Sequence, residues 1–147
     1  MKHTILDDHL SEHFTLREMV ASGTARKNDI DNIPDAQAVA HLRALCQNVL
    51  EPLRRRFGVI RITSGYRSPR LNDLLGGAER SQHLRGQAAD VHCPSLAAAR
   101  SMYDYIRLHL DYDQLLLEQR LTNGCCWLHV SYVCQALNRH DARFLHV

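Results

Sequence analysis

Two short runs constrain the fold more than any other part of the chain. Ala88-Ala89-Asp90-Val91-His92-Cys93 and Cys126-Trp127-Leu128-His129-Val130-Ser131 both read as strands, and each carries a titratable residue near its middle. Alternation places Ala88, Asp90 and His92 on one side of the first strand, and Trp127, His129 and Ser131 on one side of the second. His83 stands in the loop entering the first strand, with six residues between it and Asp90, and Gly86 suits a tight return between them. Two imidazoles and a carboxylate on separate elements form a metal-ligand set if the strands converge. Zinc accepts imidazole nitrogen and carboxylate oxygen at about 2.0–2.2 Å, and a hydrolytic zinc keeps one position free of protein. Ten histidines also produce such spacings by accident. Cys125-Cys126 with Cys134 is a softer rival set, but neighbouring strand residues face opposite ways and there is no C-x-x-C pair.

The rest of the chain supplies helices early and strands late, the pattern of an α+β fold. Thr15-Leu16-Arg17-Glu18 is a capping box opening a short helix that should end near Ser22-Gly23. Residues 24–34 read as a loop. Asp35 caps the longest helix, whose Ala38, Leu42, Leu45, Cys46, Val49 and Leu53 form one apolar face. Pro52 should loosen its last turn and Gly58 should close it. Val59-Ile60-Arg61-Ile62-Thr63 reads as a strand. Ser68-Pro69 opens a helix ending at Gly76-Gly77, and Ser95 opens another that runs to about His109. Asp113 to Glu118 reads as a strand joined to the His129 strand by a turn holding Asn123-Gly124, an antiparallel hairpin.

At 147 residues the chain is expected to form one domain, residues 1–147, with a core of its own. A net charge of +2 and the single basic run Arg54-Arg55-Arg56 do not make a nucleic-acid surface. No apolar run approaches the roughly 20 residues that span a bilayer. The start, from Met1 to His9, lacks a hydrophobic signal core, so cytoplasmic synthesis is expected. Five cysteines without such a signal are expected to be free thiols.

Three blocks in order, Ser64-Gly65-Tyr66-Arg67-Ser68, Ser81-Gln82-His83-Leu84-Arg85-Gly86-Gln87-Ala88-Ala89-Asp90 and Trp127-Leu128-His129-Val130-Ser131, resemble the zinc D-alanyl-D-alanine metallopeptidase family. Within it the chain looks most like the single-domain peptidoglycan peptidases of bacteria and their phages. The likeness runs from about Phe14 to the C-terminus and includes Ser22-Gly23-Thr24-Ala25 and Leu50-Glu51-Pro52-Leu53-Arg54. It implies a small antiparallel sheet with helices packed against it, the hedgehog/DD-peptidase fold. It also implies one zinc ion per chain on His83, Asp90 and His129, with Arg67 near the metal, pairing a substrate carboxylate or an oxyanion. Some relatives carry an acid or histidine three residues before the last ligand. Cys126 stands there, so Glu118, in a position like that of the glutamate facing zinc in the hedgehog-like arrangement, is the expected general base.

Ser81, Gln82, Ser131 and Gln114 are expected near ligand or substrate, and Trp127 and His92 are candidates for the cleft. His3, His9, His13, His41, His109, His140 and His146 are expected on the surface. The implied activity is hydrolysis of peptide bonds in the peptidoglycan stem, by a D-Ala-D-Ala carboxypeptidase or a related endopeptidase. A monomer without nucleic-acid partner or membrane insertion is expected, released to the cell wall by a lysis system. The alternatives are a catalytically weak zinc-containing binding module and a metal-free interaction domain.

Overall fold

The computed structural model describes residues 4–147, so His3 and the first two residues lie outside it. A 3-10 turn over Ile5–Asp7 leads into a small hairpin of β1 (His9–Ser11) and β2 (Phe14–Thr15), which local patterning did not announce. Leu10 and Phe14 are almost wholly buried and anchor it to the core. α1 (Leu16–Val20) starts as the capping box predicts, with Thr15 Oγ1 accepting from the Glu18 N–H at 3.3 Å. The stretch read as loop instead begins with α2 (Gly23–Lys27), because Ser22 Oγ caps the Ala25 N–H at 3.1 Å. Five residues are too few to show a helical period.

The longest helical run comprises α3 (Ala36–Leu45), a π turn (Cys46–Leu50) and α4 (Glu51–Phe57). Asp35 Oδ1 caps it by accepting from the Ala38 N–H at 2.8 Å. Pro52 has no N–H to offer, and the backbone widens just ahead of it, the Glu51 N–H bonding back to the Cys46 carbonyl. Leu42, Leu45, Cys46, Val49 and Leu53 are fully buried along the face that periodicity marks. The run ends at Gly58, whose φ is +83°.

β3 (Ile62–Ser64) is shorter than its β-branched run suggests, and Val59 is 85% exposed. After it come α5 (Pro69–Leu74), a 3-10 turn (Gln82–Arg85), β4 (Ala88–Cys93), α6 (Leu96–His109), β5 (Gln114–Gln119), β6 (Cys126–Ser131) and β7 (Asp141–His146). The sheet order is β3-β4-β6-β5-β7. The fold is α+β, and the sheet is antiparallel except at one edge, where β7 pairs parallel with β5. The small antiparallel sheet is thus as the resemblance implies, with one parallel edge strand added to it. β7 alternates weakly and depends on long-range anchoring, since Arg139 clamps Asp113 by Nη2 to Oδ2 at 2.8 Å.

One face of the sheet turns Ala89, Val91, Leu115, Leu117, Leu128 and Val130 into the core, where α6 packs against β4, β5 and β6. The opposite face carries Asp90, Leu116, Glu118, Trp127 and His129, so the chemistry lies outside the core. All five cysteines are free thiols. No helix among the described residues is long and apolar enough to cross a membrane.

Candidate metal centre

β4 and β6 pair so that Asp90 and His129 are direct partners, which puts carboxylate and imidazole side by side on the open face. His83 comes from the 3-10 turn that Ser81 caps, its Oγ accepting from the His83 N–H at 3.2 Å. Gly86, in left-handed conformation at φ +73°, then returns the chain to β4. A β-carbon at Gly86 would lie 2.5 Å from the Ala38 carbonyl oxygen, so this return requires glycine.

His83 is almost completely buried, and its Nδ1–H donates to the Gly65 carbonyl at 2.7 Å. The carbonyl can only accept, so that bond fixes the tautomer and leaves Nε2 as the free lone pair. His83 Nε2 lies 3.4 Å from Asp90 Oδ1, and His129 Nδ1 lies 3.1 Å from the same oxygen. In a tetrahedron with zinc–ligand bonds near 2.0–2.1 Å, neighbouring donors stand about 3.3–3.4 Å apart. The observed spacings match it. All three donor atoms lie within 4.8 Å of one another.

Burial alone would push the Asp90 carboxyl up, but the two neighbouring imidazole rings, His129 foremost, outweigh it and hold the group well below the usual carboxylate range. It is therefore an anionic donor flanked by two imidazoles, and the residues fit zinc. Arg67 Nη2 reaches the second oxygen, Asp90 Oδ2, at 3.4 Å, which leaves Oδ1 to the histidines. Ser64 Oγ accepts from Arg67 Nε at 2.9 Å, and Asn72 Oδ1 from Nη1 at 3.4 Å. Arg67 is thus committed to Asp90 and its own turn.

Glu118 is half-buried on the same sheet face, paired with Trp127 and diagonal to His129, whose partner is Leu116. Diagonal positions on neighbouring strands are about 7–8 Å apart, within reach of a glutamate side chain. Burial raises its carboxyl above the ordinary value, against the hydrogen bond from Trp127, and the Asp90 charge adds to the rise. Cys126, by contrast, is buried on the core face. Three residues before His129, Cys126 therefore turns to the other face of the sheet in this chain.

Ser81, Gln82 and Gln114 line a cavity beside His129. Gln82 Nε2 donates to Asp113 Oδ2 at 3.0 Å. Ser131 does not join them: it is fully buried and its Oγ accepts from the Gln114 N–H at 2.9 Å, so it ties β6 to β5 rather than facing a ligand. His92 and Trp127 line a second cavity, next to Asp90. His41 departs from the surface expectation, being buried with Nδ1 against the Arg85 carbonyl at 2.8 Å.

Sequence reasoning missed Gly65, Ser64 and Asn72 as supports, and also Asn32. Asn32 is buried and braces the Arg67 turn, with Oδ1 accepting from the Ser68 N–H at 2.7 Å and Nδ2 donating to the Tyr66 carbonyl at 3.0 Å. A second group, Glu12, His13 and Glu51, also brings three donor atoms together. There, however, Glu51 already accepts from Ser11 Oγ and the His13 backbone N–H, and pairs with the His13 ring.

Two histidines and an ionised aspartate, with a half-buried glutamate close by on the sheet, make up the donor set and neighbouring acid of a metallopeptidase. The chain belongs to the peptidase M15 family, zinc-dependent enzymes of the D-Ala-D-Ala metallopeptidase type, whose family model matches residues 12–131. That span takes in all three donors, Arg67 and Glu118, and ends before β7. None of the curated proteins compared with the chain matches it.

Proposed function

We propose that the chain is a single-domain, monomeric zinc peptidase that hydrolyses peptide bonds of the peptidoglycan stem. The observation that carries this reading is the meeting of His83 Nε2, Asp90 Oδ1 and His129 Nδ1 on the sheet face that also bears Glu118. Zinc held by these donors supplies Lewis-acid polarisation of a carbonyl and acidifies water near neutral pH. Glu118 takes the proton of the attacking water and returns it to the leaving amine. Its raised carboxyl suits that shuttle better than an exposed glutamate would. Arg67 acts as a positioning residue, holding Asp90 Oδ2 so that Oδ1 faces the histidines. Gly65 does the same for His83 through its carbonyl.

Digestion of purified muropeptides with and without a chelator, read by mass spectrometry, tests the activity. Glu118→Gln is expected to lower kcat/KM by about 10²–10⁴-fold while zinc content stays at one per chain. Full activity in that variant would remove Glu118 from the mechanism. Zinc-bound protein inert toward every muropeptide would favour a zinc-containing binding module. The proposed setting is phage or prophage lysis, in which a membrane pore releases the enzyme to the cell wall; the neighbouring genes test it.

A further inference from the structure

Asp113 is a buried carboxylate outside the donor set, and it joins two distant parts of the chain. It stands immediately before β5, where the sheet fixes its backbone. Its N–H donates to the Ser131 carbonyl at 2.8 Å, and its carbonyl accepts from the Asp141 N–H at 2.9 Å. On one side, Oδ2 accepts from Gln82 Nε2 at 3.0 Å. On the other, Oδ1 accepts from the Arg139 backbone N–H at 2.9 Å, and Arg139 Nε and Nη2 close on the same carboxylate at 3.1 and 2.8 Å. The carboxylate therefore cannot turn away from Gln82 without breaking several charge-assisted bonds to Arg139 at once.

The segment that supplies Arg139 is itself locked. Asn138 Nδ2 donates to Asp111 Oδ2 at 3.0 Å, and the His140 ring pairs with Asp111 Oδ1. His140 holds a left-handed φ of +55°, uncommon for a residue other than glycine, and its N–H donates to the Tyr112 carbonyl at 3.2 Å. At the far end of the chain of contacts, Gln82 is the neighbour of His83 in the 3-10 turn, and its carbonyl accepts from the Gln87 N–H at 3.0 Å. Ser81 caps that turn from within, and the Gly65 carbonyl holds the His83 ring. The Gln82–Asp113 bond adds a tie from the turn to the start of β5.

We infer that Asp113 and Arg139 are positioning residues of the metal centre: Arg139 fixes the Asp113 carboxylate, which holds Gln82 and with it the turn that presents His83. This rests on the metal-centre reading above, and it extends the working parts of the site past residue 131, where the family match ends. It also gives Gln82 a task that needs no substrate. Zinc affinity of the full chain, measured without substrate by competition with a chromogenic chelator, is therefore the readout. Gln82→Met keeps the length of the side chain and removes its donor, while Arg139→Gln removes the cation. Each is expected to weaken zinc binding about tenfold.

Because both act through Asp113, the double variant is expected to bind zinc within about twofold of Gln82→Met alone, whereas independent losses would multiply to about 100-fold. Circular dichroism melts of each variant set the temperature, so that affinity is read on folded protein. If Arg139→Gln does not fold, Arg139→Lys, which keeps the charge but not the forked donors, takes its place in the cycle. Unchanged zinc affinity in folded Gln82→Met, or losses that multiply in the double variant, overturns the inference. So does a lowered melting temperature with unchanged affinity, which would give Asp113 a part in stability alone. A wild-type chain that binds no zinc would instead bring down the metal-centre reading itself.

Discussion

Gly65 has no room for a side chain: a β-carbon there would sit 2.2 Å from the Met19 carbonyl oxygen. Its own carbonyl meanwhile holds the His83 ring. Gly65→Ala must therefore push the turn away from α1 and take the acceptor of the His83 Nδ1–H with it. The expected result is a 10–100-fold loss of zinc affinity, measured by competition with a chromogenic chelator. Far-ultraviolet circular dichroism of the variant separates this loss from misfolding. Unchanged affinity in a folded variant would mean that the His83 ring is oriented by something else. Asn72 offers a milder test of the same support, because it braces Arg67 rather than a donor. Asn72→Ala should lower zinc affinity by less than Gly65→Ala does. Such supports were illegible in the sequence because a backbone carbonyl carries no residue-type signal.

At the scale of elements, the buried Glu51 carboxylate ties the β1–β2 hairpin to the helical run, beside the apolar anchors Leu10 and Phe14 and the bonds from Arg43 and Gln47. Burial alone would raise Glu51, but hydrogen bonds from the His13 side chain and backbone and from Ser11 outweigh it and lower its pKa below the ordinary 4.5. A depressed folded value stabilises the protein fully above the unfolded pKa, and that contribution is lost as pH falls through the folded one. Glu51→Gln should therefore cost about 1–3 kcal/mol at pH 7, read from urea midpoints. The two proteins should converge in stability as pH drops below 4.5. A gap that persists at low pH would assign the cost to packing. Capped helices were legible at this scale: Thr15, Asp35, Ser68 and Ser95 each accept the backbone N–H expected of them. The hairpin, α2 and β7 were not, since two to six residues with weak alternation carry little periodic signal.

For the whole molecule, the sheet separates stability from chemistry. The apolar cluster lies under one face and the three donors lie on the other. Chelation is thus expected to leave the far-ultraviolet spectrum intact while abolishing hydrolysis. Zinc at 100 times its Kd adds about 2.7 kcal/mol to the folded state. For a chain of this size its removal should lower Tm by about 5–10 °C in a thermal melt. Unfolding on chelation would show instead that the metal is part of the core.

The sequence by itself determined which residues could serve as donors, the strands that bear Asp90 and His129, and the helix faces that close the core. Each of those follows from short-range physics: alternation, caps and helical spacing act between close neighbours in the chain. Tertiary structure alone decided that Asp90 is the direct partner of His129, that His83 is oriented by the Gly65 carbonyl, and that Ser131 is sealed off. It also set Glu118 diagonal to the site and gave β5 a parallel neighbour. These depend on register and burial between segments far apart in the chain, and the same residue types at the same spacings are compatible with many such registers.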